Sequence, residues 1–288
     1  MRPRCGSGVL TLAIVLLCPC GDASGQALVA SLVLDRSELV VGSPLLVRMA
    51  LRNEGTETAP LRQALCVMCG SAVVQTKGPG DEVFRDHRPH GFGLKQTEGG
   101  NRALAPGETL GTYALAAFDR EGRPVFDRVG RFEVRATFGT GTAVVTSAPV
   151  TVDVVAASTE AAARLESLRA DLSALSLFFV VEPARLTRLR DGLAGIAEFA
   201  DAIRYSDGLS GIHAADQARV RQAADLLEKL RADGRPLWTE VAAQALARHH
   251  ARAGELDLAR RMLTGLPLRT DETEGTEAIL RERDGSHR

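Results

Sequence analysis

Residues 131–138 have the sequence Arg-Phe-Glu-Val-Arg-Ala-Thr-Phe, with apolar side chains at the even-numbered positions and polar ones between them. Because successive side chains of a β-strand point to opposite faces of the sheet, this alternation predicts a half-buried strand. Residues 45–52 and 150–154 repeat the alternation, and residues 28–34 are more continuously apolar. The first half of the chain is therefore predicted to consist of β-strands.

Short turns rich in glycine separate these strands, and such residues favour the backbone conformations of tight turns. They are Asn53-Glu54-Gly55, Pro79-Gly80-Asp81, Pro106-Gly107-Glu108 and Glu121-Gly122. About seven short strands with this spacing are typical of an antiparallel β-sandwich. We predict that fold for residues 26–155.

After residue 156 the apolar residues recur every three or four positions, as at Leu165, Leu168 and Leu172. This spacing places them on one face of a helix. A bundle of helical hairpins is therefore predicted over residues 156–268, followed by a polar, disordered tail over residues 269–288. Two further apolar faces are formed by Leu193, Ile196, Phe199 and Ile203, and by Val220, Ala223, Ala224 and Leu227. The predicted breaks between helices are Pro183, Gly192, Gly208, Gly211, Gly234, Pro236 and Gly254.

Three motifs of the first half are LRNEG at residues 51–55, LAPGE at 104–108 and GRFEVRA at 130–136. They resemble motifs of the Ig-like domains of bacterial exported proteins, where they form a strand-ending turn, a turn before a middle strand and the start of a late strand. The resemblance implies an Ig-like antiparallel β-sandwich. It implies little about activity, because this fold carries unrelated functions.

The second half resembles a tetratricopeptide (TPR) helix pair. Gly254 and Ala259 occupy the turn and close-approach positions of that repeat, whereas Ala247 and His250 depart from its pattern. One unit is clear, and a stable stack needs about three, so the resemblance implies a TPR-like domain with degenerate neighbouring helices. The matching positions are Leu246, Ala247, His250, Gly254, Ala259 and Leu263.

Residues 1–25 predict a signal peptide, with two arginines before an apolar run at residues 9–17 and small side chains at 23–25. A lipid anchor at Cys18 or Cys20 is the competing interpretation, although neither cysteine follows the small residue that lipidation requires. No later segment is apolar over the ~20 residues that a membrane helix needs. The mature chain is therefore expected to be exported, to the periplasm or outside the cell.

The charge of the chain is balanced, with 35 Lys and Arg against 36 Asp and Glu and a formal net charge of −1. Binding to nucleic acid is disfavoured because no basic field would attract a phosphate backbone. Hydrophobic residues make up 45% of the chain and charged residues 25%, as in ordinary globular proteins.

The mature chain keeps two cysteines, Cys66 and Cys69, followed by His87 and His90. In an oxidising compartment the simplest outcome is a Cys66–Cys69 disulfide. Unpaired thiols, a metal site made by the two cysteines and two histidines, and a Cys-x-x-Cys redox centre remain alternatives. The neighbouring segment 75–107 is rich in glycine, which makes it a candidate for contact with a ligand or partner.

Two other sets of residues suggest chemistry less strongly. Asp207, Ser210 and His213 are close in sequence, but the Gly208–Gly211 segment is more typical of a helix–helix turn than of a nucleophile elbow. Asp119 and its acidic neighbours have adjacent arginines that would repel calcium.

We therefore expect no catalytic residue and no cofactor. The expected function is binding: a non-enzymatic exported scaffold that contacts another protein at the cell envelope through its helical concavity or the 75–107 loops. The alternatives from other classes are a metal-binding envelope protein using Cys66, Cys69, His87 and His90, and a thiol-disulfide oxidoreductase using Cys66 and Cys69.

Overall fold

The computed structural model describes residues 27–61, 65, 67, 70–87, 102–119, 123–140, 143–172 and 183–285. Strands come first and helices follow, which confirms the predicted order of a β half and an α half. The strands are β1 (Leu28–Leu34), β2 (Glu38–Val40), β3 (Leu45–Asn53), β4 (Ala59–Leu61), β5 (Ala72–Lys77), β6 (Arg85–His87), β7 (Arg102–Leu104), β8 (Thr109–Ala116), β9 (Gly130–Gly139), β10 (Val144–Thr146), β11 (Val150–Val155) and β12 (Arg269–Thr270). The helices are α1 (Thr159–Ser167), α2 (Arg169–Leu172), α3 (Pro183–Gly192), α4 (Ala197–Gly211), α5 (Gln217–Asp233), α6 (Pro236–Ala253), α7 (Leu256–Leu263) and α8 (Asp271–Gly285).

Two sheets share one apolar core in the first half. One sheet has the strand order β1-β3-β8-β12 and the other β2-β11-β9-β5-β6, with β10 also paired to β9. Met49 of β3 and Phe132 and Phe138 of β9 belong to the same buried cluster. Most pairs are antiparallel as predicted, but β2 pairs with β11 and β12 with β8 in parallel.

Local signals account for the boundaries of the long helices. The Asp216 carboxylate accepts a hydrogen bond from the Ala218 N–H and caps α5. Pro236 occupies the first turn of α6, where its missing N–H costs nothing. Gly254 ends α6 with φ +87°, in the left-handed region that favours glycine.

The polar end of the chain is ordered, which corrects the predicted disordered tail for residues 269–285. Buried threonines hold the start of this segment: the Thr270 N–H donates to the Thr273 hydroxyl at 2.8 Å, and both residues are buried. Leu280 of α8 packs with Ala251 and Ala259. Low apolar content concealed this element, because its polar side chains satisfy one another. Residues 286–288 lie outside the described residues.

The helices pack on the outer face of the β1-β3-β8 sheet. Leu46 of β3 and Tyr113 and Leu115 of β8 share a buried cluster with Trp238 and Leu246 of α6. The two halves therefore meet in one continuous apolar layer, instead of each enclosing a wholly separate core. Across the described residues, no helix has the length and hydropathy to cross a membrane.

Candidate functional site

A polar cleft opens at one end of the sandwich, with a volume of about 380 Å³. Its walls come from β6, from the turn after β5 and from the loops between β8 and β9. The lining residues are Thr76, Asp81, Arg85, Asp86, His87, Asp119, Arg123, Pro124, Val125, Asp127, Arg128 and Phe132.

A tight turn after β5 holds Asp81 in one wall of the cleft. The Gly78 N–H donates to Asp81 Oδ2 at 3.0 Å, and Gly80 has φ +78°. Asp81 also pairs with Arg85 at 2.7 Å and Arg128 at 2.8 Å. Burial raises the pKa of Asp81, but the Gly78 hydrogen bond and Arg128 outweigh it and leave the pKa below its ordinary value.

Asp119 and Arg123 also line the cleft and are bound to each other. The Arg123 backbone N–H donates to Asp119 Oδ1 at 2.8 Å, and the guanidinium Nε–H donates to Oδ2 at 2.8 Å. Asp119 is therefore paired with one of the arginines that lie near it in the sequence. A carboxylate already held by a guanidinium is a poor calcium ligand.

His87 lies at the base of the cleft, opposite Val74 in the β5–β6 pair, and is 4% exposed. Its imidazole hydrogen-bonds to the backbone carbonyl of Leu115 in the other sheet. Its Nε2 atom has no hydrogen-bond partner among the described residues. Burial lowers the pKa of His87 to about 4, against smaller opposing effects of Asp119 and Leu115.

The remaining members of the predicted cysteine–histidine set, Cys66, Cys69 and His90, lie outside the described residues. The disulfide, metal and redox hypotheses therefore stay predictions. Across the described part of the chain, no group of three or more His, Cys, Asp and Glu side chains is arranged to hold a metal ion. Of the 75–107 segment, residues 88–101 also lie outside it.

Asp207, Ser210 and His213 do not lie around a turn as the sequence predicts, because α4 continues to Gly211. Asp207 pairs with Arg219 instead. The two glycines serve close packing: a Cβ at Gly208 would lie 2.6 Å from Leu227 Cγ, and one at Gly211 would lie 2.7 Å from Ala223 Cβ. They allow α4 to approach α5.

A buried polar cluster between the two halves was missed by the sequence analysis. The Trp238 Nε1–H of α6 donates to Asp35 Oδ2 at 3.0 Å, and the Leu46 N–H donates to Oδ1 at 3.2 Å. Arg235 lies 3.3 Å and Arg36 3.5 Å from the same carboxylate. Burial raises the pKa of Asp35 in spite of both arginines. A lone Asp at a strand end carries no sequence signal for such contacts.

A second contact between the halves surrounds Glu240 of α6. Arg48 Nη1 of β3 lies 2.6 Å from Glu240 Oε1, and the Tyr113 hydroxyl of β8 donates to Oε2 at 2.5 Å. Burial raises the pKa of Tyr113, so the phenol stays protonated and able to donate. The sequence indicated Arg48 only as a residue on the solvent side of a strand.

No protein-family model and no curated protein matches this chain. Solved structures match a little under half of it. The CARDB domain of the PF1109 protein from Pyrococcus furiosus, solved with di-metal ions, is 14% identical over 46% of this chain and 96% of the domain, with a TM-score of 0.28. The sporulation control protein Spo0M from Bacillus subtilis is 15% identical over 49% of this chain and 56% of its own, with a TM-score of 0.30. A β-glucosidase from Erythrobacter marinus is 12% identical over 45% of this chain and only 16% of its own, with a TM-score of 0.26. At this level of similarity the chain is assigned to no family.

Proposed function

We propose that this protein is a non-enzymatic, exported scaffold that binds another protein at the cell envelope. The observation that carries the proposal is the union of the two halves through a buried layer. Such a layer holds the loops at the end of the sandwich on a rigid support. Binding residues commonly lie on loops that a rigid scaffold positions.

The polar contacts within that layer favour one relative orientation of the halves. The Asp35 side chain is fully buried and accepts hydrogen bonds from Trp238 and Leu46. The directional bonds of the Glu240 cluster add a second fixed point. Buried polar groups are costly when unpaired, so sliding or opening of the layer is penalised.

The packing of the helices on the sheet also changes which surface we expect the partner to contact. The helical concavity was one candidate surface, but the side of α6 that carries Trp238 is covered by the sheet. The sandwich end has exposed apolar side chains instead: Val83 is 68% exposed and Val129 is 57% exposed. The Asp81–Arg128 ion pair, at 2.8 Å, joins the two loops that carry them. Because these valines lie on loops that the ion pair joins and the sandwich supports, we propose this end as the contact surface.

We also propose a fold type for each half of the chain and an exported location. We infer an Ig-like sandwich from the two facing sheets and the three motifs. We infer a TPR-like character from the α6–α7 hairpin, where Gly254 has a positive φ and Ala259 is fully buried. Export rests on the signal-peptide pattern of residues 1–25.

Co-purification tests the proposal. The tagged chain is isolated from the exported fraction of its host after cross-linking, and partners are identified by mass spectrometry. We expect Val83→Asp and Val129→Asp to lose a partner that the wild-type protein retains. Val144→Asp is the matched control, because Val144 is 71% exposed on β10, which pairs with the far end of β9.

Two results would contradict the proposal. One is retention of every partner by both variants, which would remove the proposed surface. The other is turnover of a small substrate by the purified protein, which would replace binding with catalysis.

A further inference from the structure

The polar cleft contains a buried hydrogen-bond acceptor, Nε2 of His87, that receives no hydrogen bond from the described residues. The side chain is almost fully buried and lines the cleft. Leaving such a group unsatisfied is unfavourable, because it has lost its hydrogen bond to water and gained none in return. A hydrogen-bond donor that enters the cleft would supply the missing bond.

The protonation of the imidazole defines what can bind to it. The Leu115 carbonyl accepts a hydrogen bond from the ring, and Nε2 is the unpartnered nitrogen. Nδ1 therefore carries the proton and Nε2 presents a lone pair. With a pKa of about 4, the ring is neutral at physiological pH.

The cleft walls offer both donors and acceptors in nearly equal number. Four carboxylates and three guanidiniums line the cleft, and several of them hold one another in place through ion pairs. Apolar ligands prefer sites lined mainly by hydrophobic side chains, which this cleft is not. The carboxylates are those of Asp81, Asp86, Asp119 and Asp127, and the guanidiniums are those of Arg85, Arg123 and Arg128.

The same site disfavours a cationic occupant beside His87, and an anionic group without a proton has nothing to donate to Nε2. The burial that resists a positive charge on the imidazole would also penalise an ammonium group that binds Nε2. The described residues supply no set of three ligands for a metal cation, and the Asp81 and Asp119 carboxylates are already paired with arginines. Hydroxyl groups avoid both costs, because each is neutral and can donate and accept at once.

We propose that this cleft binds a neutral ligand rich in hydroxyl groups, of the carbohydrate class, and that one hydroxyl donates a hydrogen bond to Nε2 of His87. This site goes beyond the proposed protein-binding function and does not depend on it. Arg85 and Asp86 at the rim supply a donor and an acceptor for further hydroxyls.

Histidine-selective NMR of the full chain tests this directly. The chain has six histidines, so the long-range ¹H–¹⁵N spectrum of ¹⁵N-histidine-labelled protein is simple to assign. Cellobiose and glucose are the neutral probes, and methylammonium and zinc are the charged ones. We expect cellobiose to shift the His87 Nε2 signal saturably while Nδ1 stays protonated.

Rim variants provide a matched comparison that does not disturb the buried histidine. Arg85→Gln should weaken cellobiose binding about tenfold, the loss of one charge-assisted hydrogen bond. Arg131→Gln should leave it unchanged, because Arg131 is similarly exposed but pairs with Asp153 outside the cleft. The proposal fails if only zinc or methylammonium moves the His87 signal, if neither sugar moves it, or if the two variants behave alike.

Discussion

Strands β3 and β9 have similar alternation but different burial. In β9 the buried even-numbered residues alternate with half-buried or exposed ones such as Arg131. In β3 the second face is covered as well, with Leu46 fully buried and Arg48 paired to Glu240 of α6. Apolar residues on the second, mainly polar face of a strand, such as Leu46 and Ala50, therefore indicate another layer above the sheet.

The largest expected effect comes from removing the aromatic side chain that joins the layers. Trp238→Ala should lower the free energy of unfolding by about 3–5 kcal/mol, because it leaves a cavity and removes a donor from buried Asp35. Urea denaturation measured by circular dichroism provides the value. The β half should unfold together with the helices in one transition.

Phe84→Ala is the control beside the sheet that contains β9, which lies apart from the helix cluster of the described residues. Phe84 lies under the Arg135 guanidinium, 3.8 Å from the ring centroid, and its loss should cost about 1 kcal/mol. Two separate unfolding transitions for Trp238→Ala, with the β half unaffected, would show that the covered face of β3 does not couple the halves.

A second large effect on stability is expected from His87, which lies at the cleft end of the sandwich. The pKa of His87 falls from an ordinary 6.5 to about 4 in the folded protein, so the unfolded chain binds the proton more readily. The contribution of His87 to the free energy of unfolding is therefore fully present above pH 6.5. It is lost as the pH falls towards 4, by about 3 kcal/mol at ~1.4 kcal/mol per pKa unit.

Chemical denaturation at a series of pH values measures that decline, and His87→Gln should remove most of it. His213→Gln is the comparison, because burial also lowers the pKa of His213 but this side chain is more exposed. Equal pH dependence in wild type and His87→Gln would mean that the imidazole is not shielded from solvent.

The sequence predicts the periodic features of this molecule well and its contacts between layers poorly. Alternation located β3 and β9, and glycine and proline located the ends of α5 and α6, because these signals act within a few residues. The ion pair of Arg48 with Glu240 spans 192 positions and leaves no local pattern. The order of residues 269–285 was missed for a related reason, since it depends on contacts with β8 and α6.

Of the candidate site, the sequence indicated His87 only as one member of an alternative metal set, and the segment around it as a candidate for contact with a ligand or partner. The unpartnered Nε2 depends on where the Leu115 carbonyl lies in the opposite sheet. No spacing rule connects β6 to β8. The role of Asp81 was likewise recognised only as part of a turn, because its arginine partners come from two different loops.

A smaller difference in stability is expected between alanine substitutions at two strand glycines, Gly111 and Gly139. Gly111 of β8 lies beneath Leu268, and a Cβ there would be 2.4 Å from Leu268 Cδ1 and 3.0 Å from the Met49 carbonyl oxygen. Gly111→Ala should therefore cost about 1–2 kcal/mol through overpacking. Gly139→Ala on β9 should be neutral or stabilising by up to about 1 kcal/mol, because the nearest atom is 4.0 Å away. Thermal denaturation distinguishes the two, and equal effects would mean that Leu268 does not pack against β8.

The smallest effect compares one ion pair from each strand. Arg48–Glu240 joins β3 to α6 with side chains 20% and 15% exposed, whereas Arg131–Asp153 joins β9 to β11 with side chains 70% and 56% exposed. Alanine double-mutant cycles should give a coupling free energy of about 1–2 kcal/mol for the covered pair and below about 0.5 kcal/mol for the exposed one, since water screens the latter. Molar salt should leave the first coupling largely intact and abolish the second. Equal, salt-sensitive couplings would show that water reaches Glu240, and the helices would then rest on β3 without sealing its outer face.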